Sequence, residues 1–232
     1  GQELSKGGAH YNVGPVLTGI GVADVANSLA VIKKLVFEEK SVTLKELNAA
    51  LDNNWQGYEQ IRSMALKCPK YGNDDHYVDQ FAVEITNLYH HEIRKYKDGF
   101  GQPFNSAFMG ISNYIPAGAV VGATPDGRLA GTPLTEGCSP HTGTDVTSPT
   151  AVMKSVAKIS HESHTGGTLL NIKLSPDALK TDKDIRNLAA MIRGYFELGA
   201  FHVQFNVIST ETLRDAQEHP ENYQDLLVRV AG

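Results

Sequence analysis

Apolar side chains recur at helical spacing through most of the first 97 residues. This pattern predicts four amphipathic helices, over residues 24–40, from Thr43 onward, over residues 58–66, and from the capping residues 73–75 down to Tyr96. Thr43 and Glu46 have the spacing of a capping box, in which each residue satisfies a free backbone N–H of the other. The first part of the chain is therefore predicted to be almost wholly helical.

The pattern changes after residue 101 to short extended runs and turns. Residues 104–112 and 113–123 are predicted to be extended, and residues 124–128 have the composition of a turn. Residues 131–149 are rich in Gly, Thr, Ser and Pro, and they form a connection too long to be idle in a compact domain. We therefore expect this loop either to be functional or to be held by parts of a larger protein.

Strands and helices alternate in the last third of the chain. The predicted elements are a helix over residues 150–159, a strand over 168–174, a helix over 183–198, a strand over 201–208, a helix from Ser209 to Gln217 and an extended run over 226–230. This alternation after a helical first part predicts an α/β fold in one continuous domain, or part of one.

Composition narrows the possible partners and compartment. The 232 residues carry 21 basic and 26 acidic side chains, a net charge of -5, mixed along the chain, so we expect neither nucleic acid nor a membrane as a partner. Cys68 and Cys138 have no zinc or disulfide spacing, which favours a reducing cytoplasm. The Gly-rich start without Met and the extended end suggest a piece of something longer.

Residue spacing alone gives only weak signals for chemistry. His161 and His164 form H-x-x-H, but without clustered carboxylates or a helical H-x-x-x-H pair they predict no metal site. Ser139 and His141 lack the G-x-S-x-G context of a hydrolase. The Gly-rich segments also lack the lysine of a phosphate loop.

The end of the chain carries a more specific pattern. Arg229-Val230-Ala231-Gly232 follows the segments 204–207, 213–217 and 219–221 in a characteristic order. Further motifs stand upstream, at residues 70–75, 122–128, 133–137, 139–140, 149–158 and 169–176. Together these segments, which cover nearly the whole chain, resemble the carboxy-terminal part of glycyl radical enzymes of the pyruvate formate-lyase superfamily.

The resemblance implies a role for each matched residue of the tail. Gly232 corresponds to the glycine that stores the radical, with Arg229, Val230 and Ala231 as support of its loop. Gln204 and Asn206 are candidates to line its surroundings. The resemblance also implies that residues 1–200 belong to an α/β barrel and residues 201–232 to a glycyl radical domain.

The resemblance further implies a thiyl-initiated lyase reaction. In this family the glycyl radical takes hydrogen from a cysteine, whose thiyl radical then attacks the substrate. Neither Cys68 nor Cys138 has the context of that cysteine, which we expect in preceding sequence. The loop motifs are similar to the branch of glycerol dehydratases and arylacetate decarboxylases. Phe108 and Met109 match a strand that lines the substrate barrel, and Met109, where polyol dehydratases often have Tyr, disfavours a glycerol-like substrate.

Partners and cofactors are also implied. No bound cofactor is expected, because a separate S-adenosylmethionine and iron–sulfur activating enzyme installs the radical. The resemblance further implies a small-molecule substrate, a homodimer and a cytoplasmic location, with a bacterial microcompartment as a further possibility. Two alternatives stay open: a formate-lyase acting on pyruvate or another 2-oxoacid, and a small standalone protein that supplies a spare glycyl domain to a damaged enzyme.

Overall fold

A computed structural model describes residues 15–99 and 101–223, and within them the chain forms eight α-helices and four short strands. The helices are α1 (Val22–Val31), α2 (Leu44–Asp52), α3 (Glu59–Lys67), α4 (His76–Ile93), α5 (Tyr114–Val120), α6 (Pro149–Ala157), α7 (Asp182–Glu197) and α8 (Thr210–Glu218). The strands are β1 (Val16–Thr18), β2 (Asn105–Ala107), β3 (Asn171–Leu174) and β4 (Gln204–Val207). The predicted mixture of helices and strands is confirmed. The extended run over 226–230 lies outside the described residues.

Side-chain caps start several helices where the sequence predicts them. The capping box of α2 is present, since the Thr43 N–H donates to a Glu46 carboxylate oxygen at 2.8 Å and the Glu46 N–H donates to Thr43 Oγ1 at 3.1 Å. Asp75 caps α4 by accepting from the Tyr77 N–H, and Ser209 caps α8. Each such cap stabilises a helix by about 1 kcal/mol.

The first predicted helix is two elements. The α-helical turns of α1 end at Val31, and residues Ile32–Glu38 continue as a π-helix. Apolar periodicity does not separate these two states, because the wider turn still buries Leu35. The π-helix places the Lys33 ammonium 4.7 Å from the centre of the Tyr77 ring, which is cation–π geometry.

The extended run predicted over residues 113–123 is wrong, because α5 occupies most of it. Tyr114 is buried at the start of this helix. Pro116 falls in the first turn, where the missing N–H is not needed. Gly118 packs against the backbone of Thr132, whose carbonyl oxygen would lie 2.3 Å from an added Cβ. Small residues therefore allow α5 to pack closely against the neighbouring backbone. Because the same residues are typical of turns, the sequence did not predict this helix.

The four strands form two parallel pairs, β1 with β2 and β3 with β4. Val16 pairs with Asn105 across the first pair and Asn171 with Gln204 across the last. A parallel bridge between Phe108 and Thr168 joins the two pairs. The regular strands are shorter than the predicted ranges 168–174 and 201–208.

One face of this strand run is covered by helices. Phe108 on the β2 side and Ile172 on β3 belong to a single apolar core with residues of α1, α4, α6 and α7. The largest fully buried side chains in that core include Tyr71, Met153, Leu170 and Tyr195. We call the helix-covered side the outer face and the opposite side the inner face.

An ion pair between the buried Asp79 and the partly exposed Lys158 links α4 to the end of α6. Asp79 is fully buried, and its Oδ2 accepts hydrogen bonds from Lys158 at 2.7 Å and from Ser155 at 2.9 Å. Burial raises the pKa of Asp79 despite these two donors. The pair therefore compensates a carboxylate that the apolar surroundings disfavour.

Lys158→Met is expected to destabilise the protein by about 2–3 kcal/mol, because it leaves the buried Asp79 carboxyl without its cation. Lys154→Met is the matched control, since Lys154 is more exposed and contacts only Asp74. Denaturant unfolding of both variants measures the difference. Equal unfolding free energies for the two variants would contradict the role of Lys158.

Candidate active site on the inner face

The inner face is polar where the outer face is apolar. Side chains alternate along a strand, and register partners in a parallel pair lie on the same face. The residues that alternate with the core positions are Asn105 and Ala107 on β2, Asn171 and Lys173 on β3, and Gln204 and Asn206 on β4. Asn105, Ala107 and Asn171 are buried, whereas Lys173 is exposed and Gln204 and Asn206 are half-buried. The polar part of this face along β3 and β4 is where a small ligand can be bound.

The structure separates the two predicted pocket residues. Phe108 is 3% exposed, and its ring packs in the core 4.9 Å from the ring of His164. Met109 is 38% exposed, and Gly167 leaves room for its thioether, because an added Cβ would lie 2.9 Å from the sulfur. The contribution of either side chain to a substrate wall stays a prediction.

The residues expected at the radical site fall into two groups. Gln204 and Asn206 are half-buried on β4, and both take part in polar interactions. Arg229, Val230, Ala231 and Gly232 lie outside the described residues. The predicted roles of all six stay predictions.

The loop at residues 136–139 reaches the inner face, which the sequence patterns did not indicate. The Cys138 N–H donates to the Leu169 carbonyl at 2.8 Å, and the Asn171 N–H donates to Ser139 Oγ at 3.2 Å. The loop thus forms hydrogen bonds with the backbone at the start of β3. Gly137 permits this approach, since it has φ +54 and an added Cβ would lie 2.6 Å from the Leu169 oxygen.

Glu136 is the buried acid of this loop. It is 3% exposed, and its Oε2 accepts a hydrogen bond from Asn171 Nδ2 at 2.7 Å. Burial raises the pKa of Glu136, while hydrogen bonds from Asn171 and Ser139 oppose that shift. A carboxyl group with a raised pKa at a cavity is typical of functional sites. The only sequence signal was its place in the matched segment 133–137.

A second polar cluster fixes the same loop from the other side. Asp24 is 2% exposed and accepts from the Thr135 N–H at 2.6 Å, from Thr135 Oγ1 at 2.8 Å and from His141 Nδ1 at 3.0 Å. Asp126 also lies close, so that Asp24, Asp126 and His141 each bring a potential metal-ligand atom within 4.8 Å of the others. The hydrogen bond to Asp24 raises the pKa of His141, which favours an imidazolium that balances the two carboxylates.

This cluster predicts a pH dependence. A raised histidine pKa means that the stabilisation is complete below the ordinary value of 6.5 and is lost as pH rises through the higher folded value. We expect the cluster to contribute about 1 kcal/mol near pH 6 and little at pH 9. Hydrogen exchange of residues 134–148 measured from pH 6 to 9 should show increasing opening, and His141→Gln should remove most of that pH dependence. The same pH profile in His141→Gln would contradict the assignment.

The other candidate residues have structural partners. His161 contacts Thr168 Oγ1 at 2.6 Å and the Val156 carbonyl at 3.0 Å, and His164 contacts Ser106 Oγ at 2.7 Å. Burial lowers the pKa of His164 to about 4, so this imidazole is neutral near pH 7. These contacts account for the H-x-x-H spacing as part of the core.

Both cysteines are buried and free. Burial raises the pKa of each thiol, and for Cys138 the shift is large. A raised pKa disfavours the thiolate, so neither residue has the environment of an activated nucleophile. In the described part of the chain, no helix is long and apolar enough to cross a bilayer.

Comparison with known proteins places this arrangement in a class. Residues 1–118 match the family described as Pyruvate formate lyase-like, and residues 134–232 match the one described as Glycine radical. The chain is 41% identical to trans-4-hydroxy-L-proline dehydratase of Clostridioides difficile over 100% of its length and 29% of that protein. It is 37% identical to indoleacetate decarboxylase of Tractidigestivibacter scatoligenes, over 100% of its length and 29% of that protein.

Solved structures agree with the sequence matches. The glycerol-bound form of the B12-independent glycerol dehydratase from Clostridium butyricum superposes with a TM-score of 0.92 at 44% identity, covering 97% of this chain and 28% of that one. The described fold is therefore that of the corresponding part of a glycyl radical enzyme. The chain belongs to the pyruvate formate lyase-like family, and it spans under a third of the length of these relatives.

Proposed function

We propose that the full-length protein is a glycyl radical lyase of the dehydratase or decarboxylase type. The observation that carries this proposal is the match of residues 134–232 to the glycine radical family, which ends on Arg229-Val230-Ala231-Gly232. Relatives named as dehydratases, a decarboxylase and a sulfite-lyase all align over most of the chain. Gly232 stores the radical, because a planar Cα radical delocalises over its amide nitrogen and carbonyl and a side chain would crowd it.

We propose that the described strands form part of a closed barrel. The two parallel strand pairs, the helices on the outer face and the polar residues on the inner face all support this arrangement. The remaining strands would come from the rest of the protein. We keep residue 200 as the proposed boundary between the barrel part and the radical segment.

The proposed reaction begins with hydrogen transfer between protein residues. A cysteine elsewhere in the full-length protein gives its S–H hydrogen atom to the Gly232 radical, and the resulting thiyl radical takes a hydrogen atom from a substrate carbon. The substrate radical breaks a C–O, C–N or C–C bond to the leaving group. The product radical takes the hydrogen back from the cysteine, and the thiyl radical so formed takes an α-hydrogen from Gly232, which restores the glycyl radical. No net oxidant is consumed.

We further propose the partners that this chemistry needs. A radical-activating enzyme that uses S-adenosylmethionine and an iron–sulfur cluster removes the Gly232 hydrogen. The support of this loop falls to Arg229, Val230 and Ala231, with Gln204 and Asn206 beside it. Met109 contributes apolar wall, and Phe108 packs in the core behind the strand. A homodimer in the cytoplasm or in a bacterial microcompartment completes the proposal.

Electron paramagnetic resonance tests the proposed function. Full-length protein activated without oxygen should show an organic radical signal split into a doublet by the remaining α-hydrogen. Exposure to air should then cleave the backbone at Gly232, which mass spectrometry detects. An activated sample with no doublet and no oxygen-dependent cleavage would contradict the proposal.

A further inference from the structure

A cavity of about 500 Å³ lies between the loop after α5, the start of α6 and β3. Its walls include Glu136 and Ser139 from the loop, Asn171 and Lys173 from β3, and Pro149 at the start of α6. This volume is in the range of small-molecule sites.

Two buried side chains at this cavity have an oxygen without a hydrogen-bond donor. Glu136 and Asn171 are 3% and 8% exposed. Their Oε2 and Nδ2 atoms bond each other, but Glu136 Oε1 and Asn171 Oδ1 accept no hydrogen bond from the described residues. Buried polar atoms are almost always paired in folded proteins, so two such oxygens side by side indicate a missing donor.

The charged residues that line the cavity indicate which chemical group can supply the missing hydrogen bond. Its charged walls are Glu136 and Asp145, against one cation, Lys173. Two carboxyl groups and an amide oxygen accept hydrogen bonds, and an anionic group would meet them unfavourably. A hydroxyl or an ammonium group suits this arrangement, whereas a carboxylate or sulfonate would need to lie elsewhere, towards Lys173.

We propose that Glu136 and Asn171 determine substrate specificity by accepting hydrogen bonds from a hydroxyl or amine group of the substrate. This inference rests on the proposed lyase function. It also gives a place for a hydroxylated substrate although Met109 offers no hydrogen bond at its own position.

An ordered water, or a backbone N–H from a part of the protein outside the described residues, competes as the donor, and replacing a water would leave KM unchanged. A substrate donor affects KM for hydroxylated or amine substrates and leaves the radical intact. A backbone donor instead holds a loop, so its loss lowers the radical content and the stability. The three sources are therefore separated by measuring both quantities in the same variants.

The test uses the full-length protein, activated without oxygen. Glycerol, 1,2-propanediol and trans-4-hydroxy-L-proline serve as probes with donor groups, and phenylacetate as a probe without one. The variants are Glu136→Leu and Asn171→Leu, with Glu162→Gln as control because Glu162 is exposed in the turn His161–Ser163. Glu136→Gln keeps the shape of the side chain but replaces one carboxylate oxygen, a hydrogen-bond acceptor, with an amide NH2, a donor. This variant replaces Glu136→Leu if the leucine variant does not fold.

We expect KM for the donor-bearing substrate to rise about 10- to 100-fold in the Glu136 and Asn171 variants, with a smaller change in kcat. The radical signal and the control variant should be unchanged. Three results would overturn the inference and leave the lyase proposal in place. The variants could show an unaltered KM or lose the radical signal, or the wild-type protein could turn over phenylacetate alone. A wild-type protein without any radical fails the lyase proposal instead, and calorimetric binding of the same probes to wild type and Glu136→Gln then decides the inference.

Discussion

Replacement of Gly232 by alanine in the full-length protein is expected to abolish the radical signal and the activity together. The methyl group crowds the planar Cα and removes one of the two α-hydrogens from reach of the activating enzyme. Since no radical chain starts without this step, turnover should fall by about 10⁴-fold or more. Electron paramagnetic resonance and a substrate assay on the same sample measure both effects.

Ala231→Ser is the matched control for this prediction. The position before the glycine varies in the motif that Arg229-Val230-Ala231-Gly232 resembles, so a small polar residue should leave the radical signal in place. A doublet that survives Gly232→Ala would assign the radical to another residue. A doublet lost in both variants would indicate a general defect of the loop rather than the chemistry of Gly232.

Gly137→Ala should have the second largest effect, because it disrupts the contact between the loop and β3. The alanine Cβ would lie 2.6 Å from the Leu169 carbonyl oxygen and 3.1 Å from that of Phe108, in a backbone conformation with φ +54. Neither backbone group can move without breaking strand contacts. We expect a loss of about 3 kcal/mol or more and a displaced Glu136.

Gly131→Ala separates crowding from backbone strain. Gly131 also has a positive φ, +77, but an added Cβ would meet nothing within 4 Å. Its replacement should cost only about 1–2 kcal/mol. Thermal unfolding of the two variants and assays with saturating substrate measure the difference, and similar losses in both would show that the close approach of Gly137 is unimportant.

The sequence predicted those elements whose signals are local. The cap formed by Thr43 and Glu46 and the cap at Asp75 act within three residues, so the starts of α2 and α4 were accessible to pattern analysis. The helix α5 was not, because a buried Tyr114 and a close contact at Gly118 outweigh a composition typical of turns.

The candidate site was only partly predictable for the same reason. The family followed from ordered motifs, and Gln204 and Asn206 were placed on the correct strand. The pairing of Glu136 with Asn171 depends on the loop crossing to β3, and that of Asp24 with His141 joins α1 to the same loop. Contacts between residues so distant in sequence leave no periodic pattern, so only the structure reveals them.

The order of the strands has a consequence for how the chain reaches its fold. Between β3 and β4 lie only the short 3-10 helix Pro176–Leu179 and α7, whereas Val16 on β1 cannot pair until Asn105 has been synthesised. Closing long loops is entropically costly, and folds dominated by distant parallel pairs form slowly. β1 is therefore synthesised before its partner. Val16 and Leu17, which are about two-fifths exposed in the described structure, stay uncovered by β2 in the nascent chain until β2 follows. Aggregation during synthesis should therefore begin at β1, and slower production at low temperature should reduce it.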